Sequence, residues 1–135
     1  MRIVLDTNVV VSGLLSDFAP PAQILDLVAS SEITLIVDGR IEAEYRDVLS
    51  RSKLQLAPAD VASFLGLLDY AERVVGAPLP FPLPDPDDEA FLEVAIAGGA
   101  DALVTGNTAQ FRIAHGRLDI PIRTPRKFLD VFAGR

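Results

Sequence analysis

The side chains with the clearest chemical potential in this sequence are acidic residues that follow short apolar runs. Asp6 comes directly after the apolar run at residues 3–5. A buried strand that ends in a carboxylate presents this charge at the carboxyl edge of a sheet, where open α/β folds bind ligands. Because burying an unpaired carboxylate is costly, Asp6 requires a partner elsewhere in the chain.

The rest of the chain offers mostly further carboxylates. Four acids lie within residues 85–89, and Glu42 and Glu44 lie in a predicted helix between the two acidic segments. Carboxylates that converge at about 4 Å repel each other by roughly 4 kcal/mol per pair at an effective dielectric constant of about 20. Only protonation or a multivalent cation would stabilise such a cluster. Oxygen ligands favour Mg²⁺ or Mn²⁺ over zinc.

Length and composition limit the other chemistries. The 135 residues fit a single domain, 1–135, and an apolar fraction of 50% is sufficient for a layered core. The chain has no cysteine and one histidine, His115, which argues against thiolate or histidine-rich metal sites. We see no leader segment and no apolar run of the ~20 residues that span a bilayer, so we expect a cytoplasmic protein without a membrane partner.

The net charge of −7 would ordinarily disfavour a nucleic-acid partner, but the charge is unevenly distributed. Residues 112–135 contain six basic and two acidic residues, so this segment carries +4 and the rest −11. A basic rim beside an acidic metal site would suit an anionic substrate, with Arg112 and Arg117 as candidate substrate-binding residues. A solvated basic tail explains the same pattern equally well.

The hydrophobic periodicity alternates between strand-like and helix-like segments, which is typical of α/β folds. We predict strands near 2–5, 33–37, 73–76, 102–105 and 120–123. We predict one helix from Pro20, one after Asp38 and Gly39, and one from Pro58 to near residue 74. Alternating prolines in residues 77–84 exclude a helix or a central strand there and indicate an extended connector.

Each candidate residue also has a purely structural explanation. Asp85 would serve as a helix N-cap, with the other acids of residues 85–89 favouring the helix dipole. Helical periodicity places Glu42 and Glu44 on opposite flanks of one apolar face and does not choose between them. A strand that ends near Thr105 and Asn107 places oxygen ligands at the sheet edge, but a plain turn also explains these residues.

Four segments together resemble one family. They are Asp6-Thr7-Asn8 after the first strand, residues 44–49 (EYRDVL) on a helix, residues 85–92 (DPDDEAFL), and residues 100–107 (ADALVTGN). In this order they resemble the PIN-domain ribonucleases, and more narrowly the bacterial PIN proteins related to VapC toxins of toxin–antitoxin systems. The resemblance extends from residue 2 to about residue 132.

The resemblance implies an α/β/α sandwich with a central, mainly parallel sheet and a Mg²⁺- or Mn²⁺-dependent endoribonuclease. It assigns Asp6, Glu44 and Asp88 to the acidic triad, with Glu44 rather than Glu42. The resemblance also implies that Asp85 and Asn107 are additional metal-site residues. It implies that Asn8 and Thr105 orient the carboxylates. It also implies a homodimer and a small antitoxin partner.

The sequence departs from the family pattern at one position. Many relatives carry a further aspartate after the strand near residues 102–105, where this chain has Asn107 and Gln110. The loss of this charge leaves open whether one metal or two bind.

Two other classes of protein remain as alternatives. One is a non-catalytic PIN-fold module that binds RNA or a protein. The other is a phosphatase with an aspartyl nucleophile at Asp6, which would require a second aspartate at position 8, where this chain has asparagine.

Overall fold

The computed structural model describes residues 1–114 and 118–134, in which five parallel strands form one central sheet. The strands lie in the spatial order β3-β2-β1-β4-β5. In chain order they are β1 (Arg2–Leu5), β2 (Thr34–Val37), β3 (Glu72–Arg73), β4 (Ala102–Val104) and β5 (Ile122–Arg123). The all-parallel sheet, with its helices, confirms the predicted α/β/α class.

The α-helices of the described residues occupy the connections between these strands and the end of the chain. They are α1 (Thr7–Leu15), α2 (Pro20–Ala29), α3 (Gly39–Leu49), α4 (Pro58–Leu67), α5 (Glu89–Gly98) and α6 (Pro125–Phe132). Short 3₁₀ turns cover Ser52–Leu54, Leu68–Tyr70, Pro86–Asp88 and Thr108–Ala114. No described helix is long and apolar enough to cross a membrane.

Strand β1 is central because its side chains are apolar on both faces. Ile3, Val4 and Leu5 are fully buried, as expected for a parallel strand covered by helices on both sides. The chain crosses from β1 to β2 and β3 on one side, and β4 and β5 lie on the other. The gap between β1 and β4 is therefore the topological switch point of the sheet, where such folds form their ligand clefts.

Helix α1 was not among the predicted elements. The consecutive valines at residues 9–11 favour a strand locally, but Val9 and Val10 are buried in the core within a helix. Helices α1 and α2 pack closely because Gly13 has no side chain, and a Cβ there would lie 2.6 Å from Leu25 Cδ1. Tertiary packing outweighs the local preference.

The predicted end of the third helix near residue 74 was wrong. Helix α4 ends at Leu67, and Glu72 and Arg73 form the edge strand β3 against β2. The Glu72 carboxylate also accepts hydrogen bonds from the Arg2 guanidinium at 2.7 and 2.6 Å. The strand predicted at 73–76 therefore lies at Glu72–Arg73, and the prolines that follow form no helix or strand, as predicted.

Candidate active site

The register of β1 and β4 brings two polar residues together at the carboxyl edge of the sheet. Leu5 pairs with Val104, so the residues that follow each strand, Asp6 and Thr105, lie side by side. The Thr105 hydroxyl donates a hydrogen bond of 2.7 Å to Asp6 Oδ2. Because both side chains are buried, this contact fixes one oxygen of the Asp6 carboxylate.

The adjacent backbone and side chains hold this pair in place. Asn8 Nδ2 lies 3.3 Å from Asp6 Oδ2, and Asn8 Oδ1 accepts a hydrogen bond from the Gly106 N–H. The N–H of Asn107 donates to Thr105 Oγ1 at 3.0 Å. The loop after β4 is thus connected to the first turn of α1 through the side chains that surround Asp6.

Helix α3 places Glu44 next to this group and directs Glu42 elsewhere. The Thr7 hydroxyl donates a hydrogen bond to the Glu44 carboxylate. Glu42, on the other flank, is ion-paired with Arg73 and Arg46, which lower its pKa. The packing of α3 against α1 thus makes the choice that helical periodicity left open.

The proline-rich connector delivers the acids of residues 85–89 to the same edge. Asp85 caps the 3₁₀ turn Pro86–Asp88 and accepts a hydrogen bond of 3.0 Å from the Asp87 N–H, so its predicted capping role is confirmed. Asp88 is the residue before α5 and makes no side-chain cap contact. Capping and exposure to the cleft are compatible, since Asp85, Asp87 and Asp88 all line the cleft described next.

An open cleft of about 470 Å³ lies between these elements. Five carboxylates contribute to its walls. The lining residues are Asp6, Thr7, Asn8, Val11, Ser12, Glu44, Val48, Arg51, Asp85, Asp87 and Asp88.

Three carboxylates of the cleft, those of Asp6, Glu44 and Asp88, have raised pKa values. Burial raises the pKa of Asp6 and of Glu44. Burial, followed by the charges of Asp6, Asp85 and neighbouring acids, raises the pKa of Asp88 to about 6. None of the ion pairs among the described residues neutralises these three groups. The cleft therefore favours the approach of positive charge.

Comparison with known proteins identifies the family. The model of the PIN domain family matches residues 2–109. The chain belongs to the PIN domain family. No curated protein matches the sequence.

A solved structure supports the fold of this PIN domain. A chain in the crystal structure of VapBC2 from Rickettsia felis, bound to a DNA fragment from their promoter, is similar to it with a TM-score of 0.57 and 22% identity. The similarity covers 92% of this chain and 98% of that one. At this identity the similarity shows a common fold.

The oxygen-rich cleft of the PIN domain suits a hard divalent cation in its donor chemistry. Its carboxylates surround the cleft rather than converging on one point: within residues 1–114 and 118–134, no three Asp, Glu or His side chains are grouped closely enough to hold a metal ion as they stand. The fit to a metal therefore rests on donor type and on the unneutralised charge.

Two further predicted residues, Asn107 and Arg112, do not line the cleft. Asn107 is exposed, and only its backbone N–H contacts the group around Asp6, through Thr105. Arg112 is exposed on the 3₁₀ turn Thr108–Ala114. Arg117 lies outside the described residues.

Six residues that line the cleft were not predicted from the sequence as site residues, and three of these carry a charge or a hydrogen bond to a carboxylate. Thr7 holds Glu44, Asp87 extends the acidic wall, and Arg51 adds a positive charge. Thr7 and Asp87 adjoin predicted site residues, and this proximity was the available signal. Arg51 follows α3 with no motif around it, so only the packing of the helices reveals its position.

Proposed function

We propose that this PIN domain is a metal-dependent endoribonuclease that hydrolyses RNA phosphodiester bonds. The observation that supports the proposal is the cleft at the switch point of the sheet, which is lined by Asp6, Glu44 and Asp88, none of which forms an ion pair among the described residues. Such a cluster of carboxylates is costly unless it binds protons or metal ions. The raised pKa values of Asp6, Glu44 and Asp88 reflect this cost.

In the proposed enzyme the residues have separate roles. Asp6, Glu44 and Asp88 would hold Mg²⁺ or Mn²⁺ and serve as the catalytic acids. Thr105 and Asn8 would orient Asp6 through their observed hydrogen bonds. Two further roles complete the proposal: by the family resemblance Asp85 and Asn107 would complete the metal site, and by the basic charge of residues 112–135 Arg112 and Arg117 would bind substrate.

The bound metal would lower the pKa of the attacking water and stabilise charge on the leaving oxygen. Water attacks phosphorus, the P–O3′ bond breaks, and the 3′ oxygen takes a proton, which leaves a 5′-phosphate and a 3′-hydroxyl. The Thr105 and Thr7 hydroxyls would keep Asp6 and Glu44 oriented during this step. Because water is the nucleophile, the chemistry does not require a 2′-hydroxyl, and the choice of RNA comes from the resemblance.

We further propose that the protein is a cytoplasmic toxin, a homodimer that a small antitoxin silences. The similar chain in VapBC2 supports this proposal through the fold, and the charge of the cleft suits a cationic side chain of an inhibitor. Phe18, with 90% of its surface exposed, offers an apolar contact for such a partner. Purification together with the product of a small neighbouring gene tests the partnership, and a protein that is isolated alone in that experiment argues against it.

The nuclease proposal is tested with end-labelled single-stranded RNA and the purified protein, with Mg²⁺, with Mn²⁺ and with chelator. We expect metal-dependent cleavage to 5′-phosphate ends that is lost in Asp6→Asn. Glu44→Gln and Glu42→Gln form a matched pair on one helix. Glu44→Gln should remove cleavage, whereas Glu42→Gln should retain it, because Glu42 is held by arginines away from the cleft.

Circular dichroism and thermal unfolding of each variant show whether a lost activity reflects the site or the fold. Absence of cleavage by the folded, metal-loaded wild type would overturn the proposal. RNA binding by both the wild type and Asp6→Asn, with no cleavage by either, would indicate a binding module.

A further inference from the structure

Arg51 introduces a positive charge into the acidic wall of the cleft. Among the described residues that line it, Arg51 is the one basic side chain. It lies two residues after the end of α3, at the start of the 3₁₀ turn Ser52–Leu54. Its charge also acts on Glu44, whose pKa it lowers against the larger effect of burial.

The internal partner of Arg51 leaves the guanidinium available. Arg51 Nη2 lies 3.0 Å from Asp47 Oδ2, and the two side chains are 48% and 69% exposed. An exposed pair of this kind, four residues apart, contributes little because solvent screens it. Asp47 does not line the cleft, so Arg51 can contact an incoming anion there without breaking a buried interaction.

An anionic polymer that enters this cleft meets five carboxylates. A metal ion would neutralise the phosphate that reacts, but it leaves the adjacent phosphates close to uncompensated acids. A guanidinium donates two parallel hydrogen bonds to phosphate oxygens, which gives it both charge and a defined geometry. Arg51 lines the cleft together with Glu44 and Val48, which belong to the preceding helix α3.

We propose that Arg51 binds a backbone phosphate next to the scissile one and so positions the nucleic-acid strand in the cleft. This inference rests on the proposed nuclease function for its substrate class, a single-stranded nucleic acid with a sugar–phosphate backbone. Arg51 sets affinity and register, and the carboxylates carry out the chemistry.

A salt titration of RNA binding tests the contact directly. Fluorescence anisotropy of labelled single-stranded RNA is measured with Mg²⁺ in the Asp6→Asn background, so that the RNA remains intact, with and without Arg51→Gln. Loss of one phosphate contact should reduce the slope of log Kobs against log salt by about 0.7. Arg51→Lys should recover most of the slope, because it keeps the charge.

Arg46→Gln is the matched control. Arg46 also forms an exposed pair four residues apart, with Glu42 at 3.2 Å, but it does not line the cleft. Arg46→Gln removes the same charge from the last turn of α3. Because Arg46 lies outside the cleft, this substitution should leave the slope of log Kobs against log salt nearly unchanged. Thermal unfolding shows that each variant is folded.

Kinetics separate this contact from a purely electrostatic role. In the otherwise wild-type enzyme, Arg51→Gln should raise KM and leave kcat almost unchanged, as expected for uniform binding. An unchanged salt slope, or a loss of kcat at constant KM, would overturn the inference and make Arg51 a counter-ion of Glu44. If the wild type cleaves no RNA, the nuclease proposal fails, while the salt slope still decides whether Arg51 contacts phosphate.

Discussion

Asp88→Asn should stabilise the metal-free protein while it abolishes the proposed activity. The substitution keeps the shape of the side chain, and asparagine is as good a helix N-cap as aspartate. It removes one charge from the group formed with Asp6 and Glu44. The stability gain therefore measures the combined cost of burying this charge and of holding it near the other acids.

The size of the gain follows from the pKa. The pKa of Asp88 rises from 3.8 to about 6, a change equivalent to roughly 3 kcal/mol at ~1.4 kcal/mol per pH unit. Because Asp88 is half-exposed, solvent screening reduces the expected contribution to about 1 kcal/mol. The folded protein holds this proton more tightly than the unfolded chain does. Its stability therefore falls as the pH rises from the unfolded-state pKa through the folded-state pKa.

Urea unfolding in chelator measures this effect. At pH 7.5, Asp88→Asn should raise the free energy of unfolding by about 1 kcal/mol, and below pH 4 the difference should disappear because Asp88 is then protonated. Added Mg²⁺ should stabilise the wild type more than the variant. Asp26→Asn, on an exposed position of α2 outside the cleft, is the control and should change little.

One result would refute this reasoning. If Asp88→Asn is no more stable than the wild type at pH 7.5 in chelator, the carboxylates do not repel one another appreciably. The same conclusion follows if the gain persists unchanged below pH 4. The charge-based argument for a metal in the cleft would then fail.

Three further substitutions test the support of the site. Thr105→Val removes the hydroxyl that holds Asp6, so cleavage should fall roughly 10- to 100-fold. Because this hydrogen bond lowers the pKa of Asp6, its loss should move the acid limb of the pH–rate profile to higher pH, and an unchanged profile would exclude this orienting role. Thr7→Val should lower kcat by releasing Glu44, and a change in thermal stability without a change in kcat would make the contact structural only. Tyr45→Phe deletes a buried hydrogen bond of 2.5 Å to the carbonyl at the end of β1, so chemical denaturation should show a loss of about 1–3 kcal/mol; equal stability of the two proteins would contradict this estimate.

The sequence was sufficient where local signals and long-range packing agree. The apolar run of β1 and the acid that follows it locate Asp6 at the carboxyl edge of the sheet, because a strand buried on both faces is apolar throughout. Asp85 and Pro86 mark a helix start through N-capping and a preset proline backbone. The alternating prolines that follow Ala77 exclude regular structure there. These inferences need no knowledge of distant contacts.

Only the tertiary structure decided the points on which local signals were silent or misleading. The valines of α1 favour a strand by propensity but form a helix, because their burial against the core outweighs that preference. Glu42 and Glu44 are equivalent by periodicity; the family resemblance favoured Glu44, and the packing of α3 against α1 supplies the physical reason that Glu44 lines the cleft. Arg51 has no motif, and its place in the cleft depends on how the helices meet. The sequence determines which chemical groups exist, while packing across distant segments determines which of them face one another.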